Sequence, residues 1–185
     1  MHELTRRDPD VEIVWRAFEL RPAPVPTLDP GGDYLQRAWA NSVYPMAERL
    51  GVVMRLPPIQ PRSRRAHEAA RWARDQRQFD GYHAGLFRAF FERGEDIGDT
   101  EVLVTLAEKL GLPGDSLRDA LHRHSYEPGV VNDERDAQAM GLSGVPAFVA
   151  DRRAAMTGVQ PVENLSELVR HARSLDLSDS SGTNP

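Results

Sequence analysis

The stretch Gly144-Val145-Pro146-Ala147-Phe148 places a Val-Pro bond at the mouth of a short apolar run, Ala147-Phe148-Val149-Ala150. Proline has no amide proton to give a sheet ladder, so it belongs at the first residue of a strand or on an edge. An X-Pro bond costs little to hold cis, and a cis bond at such a junction turns the backbone sharply while leaving polar groups unspent. On spacing alone, a trans proline opening an ordinary strand is the plainer reading. A charged turn follows (Asp151-Arg152-Arg153), then a second short strand from Ala154 to Thr157, Gly158, and Gln160-Pro161 opening a helix.

Other residues that could do chemistry carry less. His122 and His124 are two apart, so on a helix their imidazoles point to different faces and cannot share an ion. His67 lies beside the apolar face of an Ala-rich helix, where a satisfied structural histidine is the ordinary outcome and a general base the rarer one. Arg62-Ser63-Arg64-Arg65 is a basic cluster of the kind that marks a solvated helix start. The run Asn132-Asp133-Glu134-Arg135-Asp136 is acidic but lacks the glycine a calcium loop needs at its turn. There is no Gly-rich phosphate loop and no Gly-x-Ser-x-Gly elbow. No metal site is expected.

Composition sets firm bounds. The chain has 185 residues, 40% of them hydrophobic and 28% charged, and this suits one globular domain with a sizeable core. The net charge of -5 argues against nucleic acid as a partner, because phosphate binding needs a cationic surface. No apolar stretch approaches the ~20 residues of a membrane span, and no signal peptide is visible at the start. Cysteine is absent, which removes disulfides, thiolate ligands and any cysteine nucleophile from this chain.

The elements that must position the Val-Pro junction follow from periodicity. Residues 4–7 read as the tail of a helix, and residues 11–18 as a strand. A Pro-rich connector runs to Pro30. From Asp33 to Leu142 nearly everything reads as helix. Asp33 is expected to cap a helix that Pro45 kinks or splits and Gly51 ends. Ser63 is expected to cap a helix through Phe79 with Ala66, Ala69, Ala70 and Ala73 on one face. Residues 82–93 form an amphipathic helix with Leu86, Phe87, Phe90 and Phe91 inward. Further helices span 99–111, 113–124 and 128–140, with Gly141 as a left-handed stop. The last helix covers 163–175 and a polar tail follows.

Several of these segments, in this order, resemble the DsbA-like branch of the thioredoxin superfamily, especially the FrnE-type oxidoreductases and their relatives the 2-hydroxychromene-2-carboxylate isomerases. The likeness rests on Val14-Trp15-Arg16-Ala17-Phe18-Glu19-Leu20, Ala66-His67, Phe87-Arg88-Ala89-Phe90-Phe91 and Asp96-Ile97-Gly98-Asp99. It continues through Gly144-Val145-Pro146-Ala147-Phe148 and Gly158-Val159-Gln160-Pro161. Ala17 stands where the family often has proline. The larger departure is at the front, where the family has a central strand and then Cys-x-x-Cys, or serine in the isomerases, at a helix N-terminus. That position stabilises a thiolate. About 20–25 residues of a βαβ unit of about 30 are then wanting, and Met1 is read as a mis-assigned start of a truncated chain.

The resemblance implies an α/β, thioredoxin-like fold missing its first strand and carrying a large all-helical insertion. Its parts are 1–32 (N-terminal strand and connector), 33–142 (helical insertion), 143–177 (cis-Pro hairpin and C-terminal helix) and 178–185 (disordered tail). It implies a thiol-disulfide oxidoreductase of the FrnE-like kind, redox-inactive in this chain. The alternatives are a glutathione-dependent isomerase-like enzyme and a cysteine-free peptide-binding module. No catalytic residue is assigned, and Gly144, Val145 and Pro146 are the expected substrate-binding residues. No cofactor is expected, unless glutathione in the isomerase case. A polypeptide or small-thiol substrate, a cytoplasmic location and room for a homodimer complete the expectation, with no nucleic acid and no membrane.

Overall fold

The computed structural model describes residues 1–181, with side chains as far as Leu175. The chain divides into two compact units, Met1–Leu20 with Asp133–Pro185, and Arg21–Asn132. The division falls inside one helix, α8 (Glu127–Ala139).

The unit Arg21–Asn132 is helical. Its first helix, α2 (Asp33–Ala38), passes through a π-helical turn (Trp39–Val43) into α3 (Tyr44–Leu50). Gly32, with extended backbone, precedes the helix, so Asp33 is its first residue and not its cap. Pro45 sits in the first turn of α3, where a missing amide is tolerated, and the pattern is split there. Gly51, at φ 63°, ends it.

Four further helices make the core. They are α4 (Arg64–Asp75), α5 (Phe79–Phe87), α6 (Thr100–Lys109) and α7 (Gly114–His122). Ala66, Ala69, Ala70 and Ala73 form the buried face of α4, and these small side chains bring Trp72, Tyr82, Leu103 and Leu117 into one cluster. Tyr82 is wholly buried, and its hydroxyl donates to Leu103 O at 2.9 Å, which satisfies the one polar atom it brings inside. Asp99 caps α6 by accepting the Glu101 amide at 2.7 Å.

Three helix readings are corrected here. The Ala-rich helix stops at Asp75 and not Phe79, because Arg77 takes a left-handed φ of 59° that an α-helix cannot continue. Ser63 precedes α4, but its side chain makes no capping hydrogen bond. Phe87 does not pack inward and is 53% exposed. It belongs to an aromatic ladder at four-residue spacing, with His83 at 4.9 Å on one side and Phe91 at 5.9 Å on the other.

In the other unit, α1 (His2–Arg7) packs on α9 (Val162–Ser181) through Leu4, which is 3% exposed. Arg7 donates to Glu163 at 2.9 Å, and Arg173 reaches Asp8 with two bonds of 2.6 and 3.2 Å. Buried Leu165, Leu168 and Ala172 give α9 one apolar face at helical spacing. The helix runs on to Ser181, past the expected end at 175 and into the expected tail. Residues 182–185 of that tail lie outside the described residues. The hairpin is β1 (Ala147–Ala150) and β2 (Ala154–Thr157), paired antiparallel.

No strand forms at residues 11–18, against expectation. A strand exists only by pairing, and β1 pairs with β2 alone among the described residues. The segment is held by a side chain instead. Asp133 on α8 (Glu127–Ala139), 3% exposed, accepts the Ala17 amide at 3.0 Å and Arg16 at 2.8 Å. With no ladder around it, Trp15 is left 40% exposed and Val14 56%.

Three outcomes follow. Leu117→Ala, at a fully buried site, is expected to cost about 2–5 kcal/mol of stability in denaturant unfolding. Asp133→Ala leaves a buried amide unpartnered, costs about 1–3 kcal/mol, and raises hydrogen exchange at Ala17 above the wild-type rate. The third concerns acid. Arg173 holds the Asp8 carboxyl below its usual range, and the Glu163 carboxyl is lowered by its own backbone amide and then by Arg7. Both folded values are depressed, so their stabilisation is complete above the ordinary carboxylate range and lost as pH falls through the lowered values. Amide exchange in α1 should accelerate in that acid window, and less steeply in Asp8→Asn.

Candidate functional site

The junction of interest begins where α8 ends. Gly141 at φ 72° turns the chain, and the amides of Gly141 and Leu142 return to Gln138 O and Ala137 O at 2.9 Å each. Ser143 and Gly144 then lead to Val145 and Pro146. The Val145-Pro146 bond is cis, as is Ala23-Pro24 in the other unit. Gly144 is half-buried, and a Cβ placed on it would meet nothing within 4 Å. Val145 is 49% exposed and Pro146 is exposed, so the junction faces outward.

The register decides which backbone groups are spent. The Gly158 amide donates to Pro146 O at 2.8 Å, and Phe148 stands opposite Met156. In an antiparallel pair, hydrogen-bonded and non-bonded positions alternate. Pro146, Phe148 and Ala150 therefore turn their groups to β2. Ala147 and Val149 turn theirs the other way, along an edge that no described strand covers, and Val145 precedes them across the cis bond. The turn closes through Arg153 N–H to Ala150 O at 3.0 Å, with Asp151 and Arg152 both left-handed at φ 49° and 59°. That pair of positive angles matches the twist of a tight hairpin.

Side chains sort by the same alternation. Phe148, Ala150, Ala154 and Met156 are half-buried, and the strands pack on α9. Val149, Ala155 and Thr157 face solvent. Below the hairpin, Gln160 donates to Thr157 O at 2.7 Å and accepts from Asn164 at 2.8 Å, tying β2 to the first turn of α9. The result is a short, uncharged strand edge with outward donors and acceptors at every second residue. It can pair with an extended chain, and it holds no nucleophile, acid or base.

The remaining candidates do not join it. His122 closes α7 and is exposed, while His124 has φ 52° and lies 3.6 Å from Glu127, so the two do not form a site. His67 is half-buried on α4. Among the described residues no cluster of His, Asp and Glu could hold a metal ion. Asp133, in the acidic run that lacks a calcium-loop glycine, is the anchor of residues 16 and 17. Nothing in an acidic helical run distinguishes the carboxylate that turns inward. Glu68 is a second residue that the sequence reading lacks, and its signal is a charge inside the alanine face of α4. It is 1% exposed.

Comparison with known proteins gives the following. Residues 1–170 match the DSBA-like thioredoxin domain family. The uncharacterized protein YwbO of Bacillus subtilis (strain 168) is 37% identical over 144 residues, which are 76% of this chain and 72% of YwbO. The crystal structure of a probable DsbA oxidoreductase, SCO1869 from Streptomyces coelicolor, has a similar fold, with a TM-score of 0.72 at 24% identity. The match covers 94% of this chain and 81% of that one.

The alternation sets a clear expectation for exchange. Amides of Phe148 and Met156 should exchange slowly and those of Ala147 and Val149 fast. Val149→Pro, which removes an outward amide, should leave the slow set intact, whereas Phe148→Pro should abolish it.

Proposed function

The chain belongs to the DSBA-like thioredoxin domain family, and on that premise we propose that it is a FrnE-like member that holds a polypeptide substrate for thiol-disulfide exchange. Gly144, Val145 and Pro146 with the outward edge of β1 are the substrate-binding residues. The observation that carries the reading is that Ala147 and Val149 have backbone groups directed away from β2 on an edge no described strand covers, with exposed Val145 and Pro146 leading into it. An extended peptide added there gains main-chain hydrogen bonds of the ordinary antiparallel or parallel kind, largely independent of its sequence.

Exchange itself needs a thiolate attacking a disulfide sulfur. The 185 residues include no cysteine, so by themselves they bind substrate and turn over no disulfide. The strand edge favours a polypeptide over glutathione, which has too little extended backbone to fill the alternating positions. No helix among the described residues is long and apolar enough to cross a membrane. We place the protein in the cytoplasm, where thiols are kept reduced.

Two measurements test the reading. In the first, a reduced and alkylated insulin chain is titrated into the isotope-labelled protein, and the amides of Val145, Ala147 and Val149 are expected to shift together and gain exchange protection. Shifts confined to other residues, or a response at these amides to reduced glutathione alone, would overturn polypeptide binding at this edge. In the second, insulin reduction is followed with dithiothreitol as reductant, and the rate should equal the uncatalysed one. Turnover above that rate would contradict the inactivity of this chain.

A further inference from the structure

Glu68 is the most deeply buried acid among the described residues of the helical unit, and both of its carboxylate oxygens lack a hydrogen-bond partner. Burying a carboxyl without partners is costly, so such a group calls for an explanation. It lines a cleft of about 390 Å³, within the range of small-molecule sites. Three guanidinium groups (Arg62, Arg64, Arg65) and three carboxyl groups (Glu68, Asp96, Glu127) share that cleft with His124.

Most of these groups are already engaged. Arg62 donates to the carbonyls of Arg21 and Val25 at 2.7 and 2.9 Å, and Asp96 accepts the Gly98 amide at 2.8 Å. Arg64 lies 3.6 Å from Glu127, as does His124. Arg65 spends one nitrogen on Thr100 Oγ1 at 3.1 Å, and this leaves most of its fork of donors unspent. Arg65 is exposed at the mouth, and Glu68, one helical turn further along the same face of α4, is buried.

The start of α4 adds a second asymmetry. Helix N-termini carry partial positive charge and favour anions, yet this one has no acid in its first turn, no side-chain cap, and arginines at its first two positions. That end is electrostatically short of an anion, and the buried end of the cleft is short of a donor.

We propose that this cleft binds a free α-amino acid, its carboxylate on Arg65 and the N-terminal turn of α4 and its ammonium on Glu68. A zwitterion meets both demands with no net charge brought in, whereas a simple anion or amine leaves one end uncompensated. Arg65 and Glu68 are neighbours on the helix surface, about 5–6 Å apart between Cβ atoms, and the carboxylate and ammonium of an α-amino acid, both carried on one carbon, fit between their side chains. Both Glu68 oxygens are buried, so binding requires Arg64 to move off the mouth while Arg65 takes the carboxylate.

Burial raises the Glu68 pKa, with Glu127 raising it further and His124, Arg64 and Arg65 working the other way. Those four groups come from α4, the turn after α7 and the start of α8, and Arg62 and Asp96 face the same cleft. An ammonium binds the ionised carboxyl, so affinity should strengthen as pH rises through the raised value.

The test titrates the common L-amino acids singly, at millimolar concentration, into the isotope-labelled full chain. At least one is expected to shift the amides around Arg65, Glu68 and Thr100. Its des-amino acid and its decarboxylated amine should each bind at least about tenfold more weakly, the equivalent of 1.4 kcal/mol. Glu68→Gln should weaken binding of that amino acid by at least the same factor, and Arg65→Met, a surface change that spares the fold, should do likewise. The proposal is overturned if no amino acid shifts these amides, if the des-amino acid binds as well as the parent, or if Arg65→Met, checked as folded by its spectrum, binds like the wild type.

Discussion

The hydrogen bond from the Gly158 amide to Pro146 O fixes the register of the hairpin, and much follows from that one contact. Because pairing alternates along an antiparallel ladder, it commits every even-numbered residue from Pro146 to Ala150 to β2 and every odd-numbered one to the open side. A slip of one residue would exchange Phe148 and Met156, which pack on α9, for Val149 and Ala155, which face water. Proline stands at the first position of the ladder, where its carbonyl is used and only the terminal amide bond of the pair is forfeited.

The same unit solves a second pairing problem without a strand. Residues 11–18 have the composition of a strand, but the backbone there depends on a carboxylate for its anchor. Asp133 receives both a main-chain amide and a guanidinium, which is how a buried carboxylate is ordinarily made tolerable. Further out, the ion pairs of Arg7 and Arg173 join α1 to α9 at the surface, where they orient more than they stabilise. Leu4 beneath them carries the apolar contact.

The helical unit depends on small residues. Four alanines on α4 let α5, α6 and α7 close over Tyr82, Leu103 and Leu117, and the one internal hydroxyl finds a carbonyl. Glu68 is the exception in that face. A buried carboxyl without a hydrogen-bond partner is the opposite of what stability alone would select.

The residues alone determined the family, the helical character of 33–142, the hairpin, the helix start at Asp99, the helix end at Gly51 and the left-handed stop at Gly141. Each depends on interactions within a few residues, on apolar spacing, or on a motif whose order is local. Whether residues 11–18 form a strand depends on a neighbour far away in the chain, and composition cannot supply one. That Phe87 faces outward depends on which side of α5 the ladder of His83 and Phe91 occupies. The direction of the β1 edge, the inward turn of Asp133 and the unpartnered carboxyl of Glu68 were likewise decided by packing. Charge is legible in a sequence, but burial and partnership belong to contacts between segments that the sequence keeps apart.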